Sequence, residues 1–98
     1  MKVKIEVTKD DIKNGKLDHS SKCPVALAMK RKIKNMVWVF SEEFYLKDYM
    51  GFYKSYDMPK KTGDRITKFD GAKDKNTKNM TPFSFVVNVP EKFVKRLN

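Results

Sequence analysis

Residues 36–57 read Met-Val-Trp-Val-Phe-Ser-Glu-Glu-Phe-Tyr-Leu-Lys-Asp-Tyr-Met-Gly-Phe-Tyr-Lys-Ser-Tyr-Asp, and the parsing of this stretch decides the fold. Tyr45, Tyr49, Phe52, Tyr53 and Tyr56 fall at helical spacing, and Ser41-Glu42-Glu43 has the composition of a helix start. Against a helix, Gly51 interrupts the pattern. The runs Met36–Phe40, Phe44–Leu46 and Phe52–Tyr53 are β-branched or aromatic, which suits a pleated surface. The reading adopted is a β-meander: a strand over 36–40, a turn at Ser41–Glu43, a strand over 44–47, a turn at Asp48–Gly51 and a strand over 52–57.

Working outward from the meander, residues 23–35 hold a helix. Pro24 suits a first helical turn, where its missing N–H has no partner to lose. Val25, Ala28, Met29 and Ile33 form an inward stripe with Leu27 at its edge, and Asn35 is the expected stop. Further back, Val3, Ile5 and Val7 alternate with charged residues as in a half-buried strand. Thr8 three residues before Asp11 resembles a capping box, and Asn14-Gly15 ends the short helix it opens. On the other side, Pro59 begins a helix whose inward face is Thr62, Ile66 and Phe69, closed by Asp70-Gly71. Residues 72–81 are expected to form a flexible basic loop, Pro82–Val89 a strand with Phe83, Phe85 and Val87 on one face, and 90–98 a short C-terminal helix or tail with Phe93 and Leu97 available for docking. The order β-α-α-β-β-β-α-β-α predicts an α+β fold. In it a single domain over 1–98 carries a mostly antiparallel sheet of about four to five strands, with two main helices on one face.

Composition bounds the rest. Ninety-eight residues suffice for one core, with seven Phe, four Tyr, one Trp and six Met to fill it. The lone Cys23 excludes an internal disulfide, and no run approaches the roughly 18 apolar residues of a membrane span. With no apolar leader at the N-terminus, the expected compartment is the cytoplasm. The net charge is +10, and 19 of the 22 basic residues are Lys, which suits diffuse attraction to anions better than forked recognition. Such an excess points to nucleic acid, nucleotides or acidic protein faces, and it is equally what an AT-rich coding sequence produces without any partner.

Two strings carry a resemblance. Cys23-Pro24-Val25-Ala26-Leu27-Ala28 after an N-terminal strand resembles the CP-[IV]-ALA helix of small, uncharacterised bacteriophage and prophage proteins. Those proteins also carry a Pro-initiated helix ending in FDxG and then PFSF. The counterparts here are Pro59 through Phe69-Asp70-Gly71 and Pro82-Phe83-Ser84-Phe85. The resemblance implies a phage or mobile-element setting in a bacterial host and transfers no catalytic residue.

No motif in the chain carries a specific chemistry. Cys23 with His19 reads as a buried helix-start residue beside a loop residue. One His and one Cys make no metal set, and the scattered acids have ready roles in caps and turns. The expectation is therefore no enzyme, no metal and no cofactor. What remains is surface. Lys30, Arg31, Lys32 and Lys34 in the first main helix, with Lys60, Lys61, Arg65 and Lys68 in the second, are candidate anion- or nucleic-acid-binding residues. Tyr45, Tyr53 and Tyr56 are candidate base-stacking residues. Three functions follow: an accessory protein binding nucleic acid, an inhibitor of a host defence protein, or a sequestering protein for a phosphorylated nucleotide signal. The oligomeric state stays open, a homodimer included.

Overall fold

A computed structural model of the chain describes residues 1–16, 19–34, 36–70 and 81–95. Strand β1 (Lys2–Val7) alternates exposed and buried residues along its whole length, and pairs antiparallel with β5 (Phe83–Asn88) in the register Val3↔Val87, Ile5↔Phe85, Val7↔Phe83. The inward set is thus Val3, Ile5 and Val7 against Phe83, Phe85 and Val87, as alternation requires. Helix α1 (Lys9–Asn14) starts from the expected capping box. The Asp11 N–H donates to Thr8 Oγ1 at 3.2 Å, and the Thr8 N–H donates back to Asp11 Oδ2 at 2.8 Å.

Helix α2 (Pro24–Lys32) has Cys23 as its N-cap, whose Sγ accepts the Ala26 N–H at 3.4 Å. Its expected stripe is buried, and Ala26 is buried too. The broader apolar face arises because α2 lies against both β1 and β2 (Val37–Val39), with alanines where backbones come close. Residues 41–57 are strands, not helix: β2, β3 (Glu43–Lys47) and β4 (Tyr53–Asp57) form an antiparallel meander. Helix α3 (Lys60–Asp70) buries Thr62, Ile66 and Phe69, and the Glu91–Phe93 turn of 3₁₀ helix buries Phe93. The element order is the expected one. Asn35, the 72–80 part of the basic loop, the Gly71 cap and Leu97 lie outside the described residues.

The α+β class holds, but the five strands divide into two sheets, β1-β5 and β2-β3-β4, instead of one. The meander is built from local hairpins, whereas β1 and β5 join the two ends of the described chain, with the Val89 N–H on Met1 O at 2.9 Å. At the outer edge of β2 the Val39 N–H is taken by Ser20 O at 2.8 Å, so that edge meets a loop and not β1. The buried residues of both sheets and all three helices form one continuous core.

Gly63 sets the approach of α3 to the β2–β3 turn. A Cβ there would stand 2.0 Å from the Ser41 carbonyl oxygen, a backbone atom that cannot rotate away. Alanine would gain about 1 kcal/mol of helix propensity. Overpacking of this kind costs about 1–3 kcal/mol, with the upper end apt for a backbone clash. Gly63→Ala is expected to lower stability by about 1–2 kcal/mol net in urea unfolding; an unchanged midpoint would show that α3 can shift off the turn freely.

Candidate binding surface

Strand alternation gives the meander two different faces. Val37, Val39, Phe44, Leu46 and Tyr56 point inward, while Trp38, Tyr45 and Tyr53 point outward with Phe40 just past the end of β2. On the outer face, Trp38 meets Tyr53 edge-on at 5.1 Å between ring centroids and Phe40 meets Tyr45 edge-on at 5.7 Å. These four rings line a shallow depression of about 360 Å³. Lys47 Nζ stands 5.7 Å from the Tyr53 ring centre, a cation–π arrangement. The Tyr45 hydroxyl donates to Glu43 Oε1 at 2.9 Å, and that hydrogen bond pushes its pKa above the ordinary tyrosine value.

The hairpin tip next to this face is built rigidly. Asp48 Oδ1 accepts the N–H groups of both Met50 and Phe52 at 2.9 Å, and Gly51 sits at φ +87°, the left-handed position a three-residue hairpin loop requires. Tyr49, Met50 and Phe52 are held out into solvent, 66–82% exposed.

Of the three candidate stacking tyrosines, Tyr45 and Tyr53 thus share the outer face. Tyr56 lies on the opposite face, stacked on Phe44 at 5.5 Å, with a buried hydroxyl that has no hydrogen-bond partner among the described residues. Burial raises its pKa. Trp38 and Phe40 are surface residues that the reading for stacking groups passed over. Their signal was available, because Val37 and Val39 facing inward force their neighbours outward.

The eight basic candidates separate by role. The Arg31 guanidinium grips Asp11 with both nitrogens, at 2.5 and 2.7 Å, and donates to Glu6 O at 2.7 Å. Lys30 Nζ donates to Ser21 O. Lys32 is half-buried and Lys34 exposed. Lys60, Lys61, Arg65 and Lys68 are exposed along α3, with Arg65 lying 4.4 Å from the Phe83 ring centre. Cys23 at the start of α2 and Asp70 at the end of α3 line one cavity of about 400 Å³. The two helices come together at that corner and do not pack along their lengths, so among the described residues no helix–helix packing sets the two basic groups side by side. In the same cavity, burial first, then the negative charge of Asp70, push the Cys23 thiol pKa up against the pull of the Ala26 N–H. That is the opposite of what a nucleophilic thiol needs. Among the described residues no three His, Cys, Asp or Glu side chains are grouped to hold a metal ion, and no helix is long and apolar enough to cross a membrane.

Compared with family models, curated proteins and solved structures, the chain matches none. The phage resemblance therefore rests on residues 23–28, 69–71 and 82–85, and Phe69-Asp70-Gly71 lacks the residue that the FDxG pattern sets before its glycine.

Two outcomes follow from this geometry. Burial alone raises the pKa of Asp11, but Arg31 and Thr8 outweigh it and hold the carboxyl below its ordinary 3.8. A folded pKa below the unfolded one means stability that is present above about pH 3.8 and lost as pH falls through the folded value. Arg31→Met is expected to cost about 1–3 kcal/mol at pH 7 by urea unfolding, with the gap to wild type closing as pH falls below about 3.8; a constant gap would place Arg31's contribution elsewhere. Cys23 in the folded protein is expected to react with a thiol reagent at pH 7.5 orders of magnitude more slowly than in denaturant. Equal rates would show the cavity open to it.

Proposed function

We propose that this is a non-enzymatic binding protein whose ligand is single-stranded nucleic acid, held on the outer face of the β2-β3-β4 sheet. The carrying observation is the gathering of Trp38, Phe40, Tyr45 and Tyr53 on that face, with Lys47 over Tyr53. Aromatic rings on an open antiparallel sheet accept unstacked bases of any sequence, and neighbouring lysines follow the phosphates. The net charge of +10 supplies long-range attraction. In this reading Lys47 contacts the backbone locally, while Lys54 on the opposite face of the sheet, with Lys32, Lys34, Lys60, Lys61, Arg65 and Lys68, adds the surrounding field. Arg31 belongs to the fold.

A second reading has its own observation. Tyr49, Met50 and Phe52 are projected at a tip that Asp48 and Gly51 hold in shape, and exposed clustered apolar groups mark protein contacts. In the phage setting that the resemblance implies, such a tip fits a protein that engages and inhibits a host defence factor.

Fluorescence anisotropy with labelled single- and double-stranded DNA and RNA across a salt series separates the two. The nucleic-acid reading expects preference for single strands and an affinity falling by a log–log slope of about −0.7 per phosphate contacted. It also expects a loss of about 5- to 150-fold in Tyr53→Ala and in Trp38→Ala, corresponding to about 1–3 kcal/mol per stacked base. Absence of binding at physiological salt would sink it and leave the tip-mediated protein contact as the surviving reading.

A further inference from the structure

We infer that the free edge of β4 is a self-association surface, on which β4 of a second copy pairs antiparallel about Ser55 to make one six-stranded sheet. The inference is independent of what ligand the aromatic face takes.

The parity of the hydrogen bonds comes first. The Asp48 N–H donates to Phe52 O at 2.9 Å and the Met58 N–H to Glu42 O at 3.0 Å, and the register Leu46↔Lys54, Phe44↔Tyr56 continues that series. Residues 52, 54, 56 and 58 therefore direct their main-chain groups toward β3. Tyr53, Ser55 and Asp57 direct theirs away from the sheet, and among the described residues nothing meets them. This edge carries one of the usual guards, the charged Lys54 on its inner face, which pairing would set against the Tyr56 ring of the second copy. It has no proline within the strand, no bulge in the register and no loop laid over it among the described residues. The edge of β2, by contrast, is met by Ser20.

Side chains then select the occupant. Within one copy, Glu43 and Asp57 stand directly opposite each other on the outer face, a like-charge pair that costs stability, whereas the other end of the same face carries Lys47 beside Tyr53. Antiparallel pairing about Ser55 sets Tyr53 of one copy against Asp57 of the other. The cross-sheet row becomes Lys47, Tyr53, then Asp57 and Glu43 of the second copy. Each basic end meets an acidic end, twice over. On the inner side Lys54 falls opposite Tyr56 of the second copy, extending the contact it already makes with its own Tyr56 ring at 5.9 Å. Ser55, at the twofold centre, is small and uncharged. The main-chain groups directed out from the edge then form three hydrogen-bonding pairs across the axis, Tyr53 with Asp57, Ser55 with Ser55 and Asp57 with Tyr53, as an isologous contact demands. Joined this way, the two outer aromatic faces are continuous.

Edge pairing covers less than the roughly 800 Å² per partner of a standard interface, and two +10 chains repel, so the expected dissociation constant is about 10–500 µM. Sedimentation velocity up to about 1 mM protein is expected to show conversion from 11.5 kDa to twice that mass, with the Tyr53, Ser55 and Asp57 amides gaining protection from hydrogen exchange as concentration rises. Ser55→Pro removes an N–H that the fold does not use and blocks the edge. It is expected to remain folded by circular dichroism and to weaken association at least about tenfold. Lys47→Glu and Asp57→Lys are each expected to weaken it about 3- to 10-fold, and the double exchange to restore it. The charge exchange keeps the test decisive should the proline variant fail to fold. A protein that stays monomeric at 1 mM, a dimer that survives in folded Ser55→Pro, or loss of association in Val86→Pro on β5 but not in the β4 variants would each overturn the inference.

Discussion

The structure depends on the burial of α2 against both sheets. A helix of nine residues is too short to hold itself in water, where isolated helices below about 12–15 residues are marginal. A two-stranded sheet such as β1-β5 is marginal as well. Neither unit stands alone, and each supplies what the other lacks. Val25, Ala26 and Met29 are fully buried and Ala28 nearly so, and each large apolar side chain among them contributes on the order of 1.5–3 kcal/mol by leaving water. The alanines keep the helix axis close to its neighbours, which is why the string Val25–Met29 sits at the centre of the core and why the polar residues of α2 crowd its last turn. Lys95 seals that turn from the far end of the chain, its N–H on Lys32 O and its Nζ on Lys30 O, placing positive charge at the negative end of the helix dipole.

Much of this was readable because it is local. The capping box of Thr8 and Asp11, the proline opening α2, the alternation of β1 and the Thr62–Ile66–Phe69 stripe each depend on residues within one or two turns of one another. The meander was readable for the same reason: Gly51 and the β-branched and aromatic runs outweighed the helical spacing of the tyrosines, since spacing alone cannot distinguish a helix from a pair of strands that happen to place aromatics seven apart. What was not readable is non-local. The division into two sheets turns on whether β1 reaches β2 or β5, and nothing near Val39 in sequence says that Ser20 will occupy its amide. The pairing of Arg31 with Asp11 spans twenty residues, so the guanidinium looked like one more member of a basic run. Composition groups Tyr56 with Tyr45 and Tyr53 as surface rings, although the alternation that exposes Tyr53 must turn Tyr56 inward. Parity along the strand is the stronger constraint than composition.

Charge is a poorer guide than it looks in a chain at +10. Arg31 and Lys30 are both committed to internal acceptors, one to a carboxylate and one to a carbonyl. Arg65 lies over Phe83 and so helps fix α3 to β5. Counting lysines overstates a binding surface whenever some of them serve as tethers, and it says nothing of where the remainder gather. The aromatic residues are more informative here, because burying or exposing a large ring costs more than placing a lysine, and the fold places four of them on a face it does not need for its core.

The hairpin tip exposes apolar side chains that its own folding does not require. A three-residue loop that reverses the chain requires an acceptor such as Asp48 at its base and a residue able to adopt positive φ, which Gly51 supplies. It requires nothing of residues 49, 50 and 52 beyond ordinary backbone geometry, and polar side chains there would serve the turn equally well. Yet Tyr49, Met50 and Phe52 are apolar, exposed and held in fixed positions by a side chain that hydrogen-bonds two of their amides. Local folding does not account for them, and core packing does not reach them. In the function proposed above they serve contact with a partner, whether bases laid across the adjoining face or a protein surface at the tip, and in either case the turn held by Asp48 would lower the ordering cost of that contact before the partner arrives.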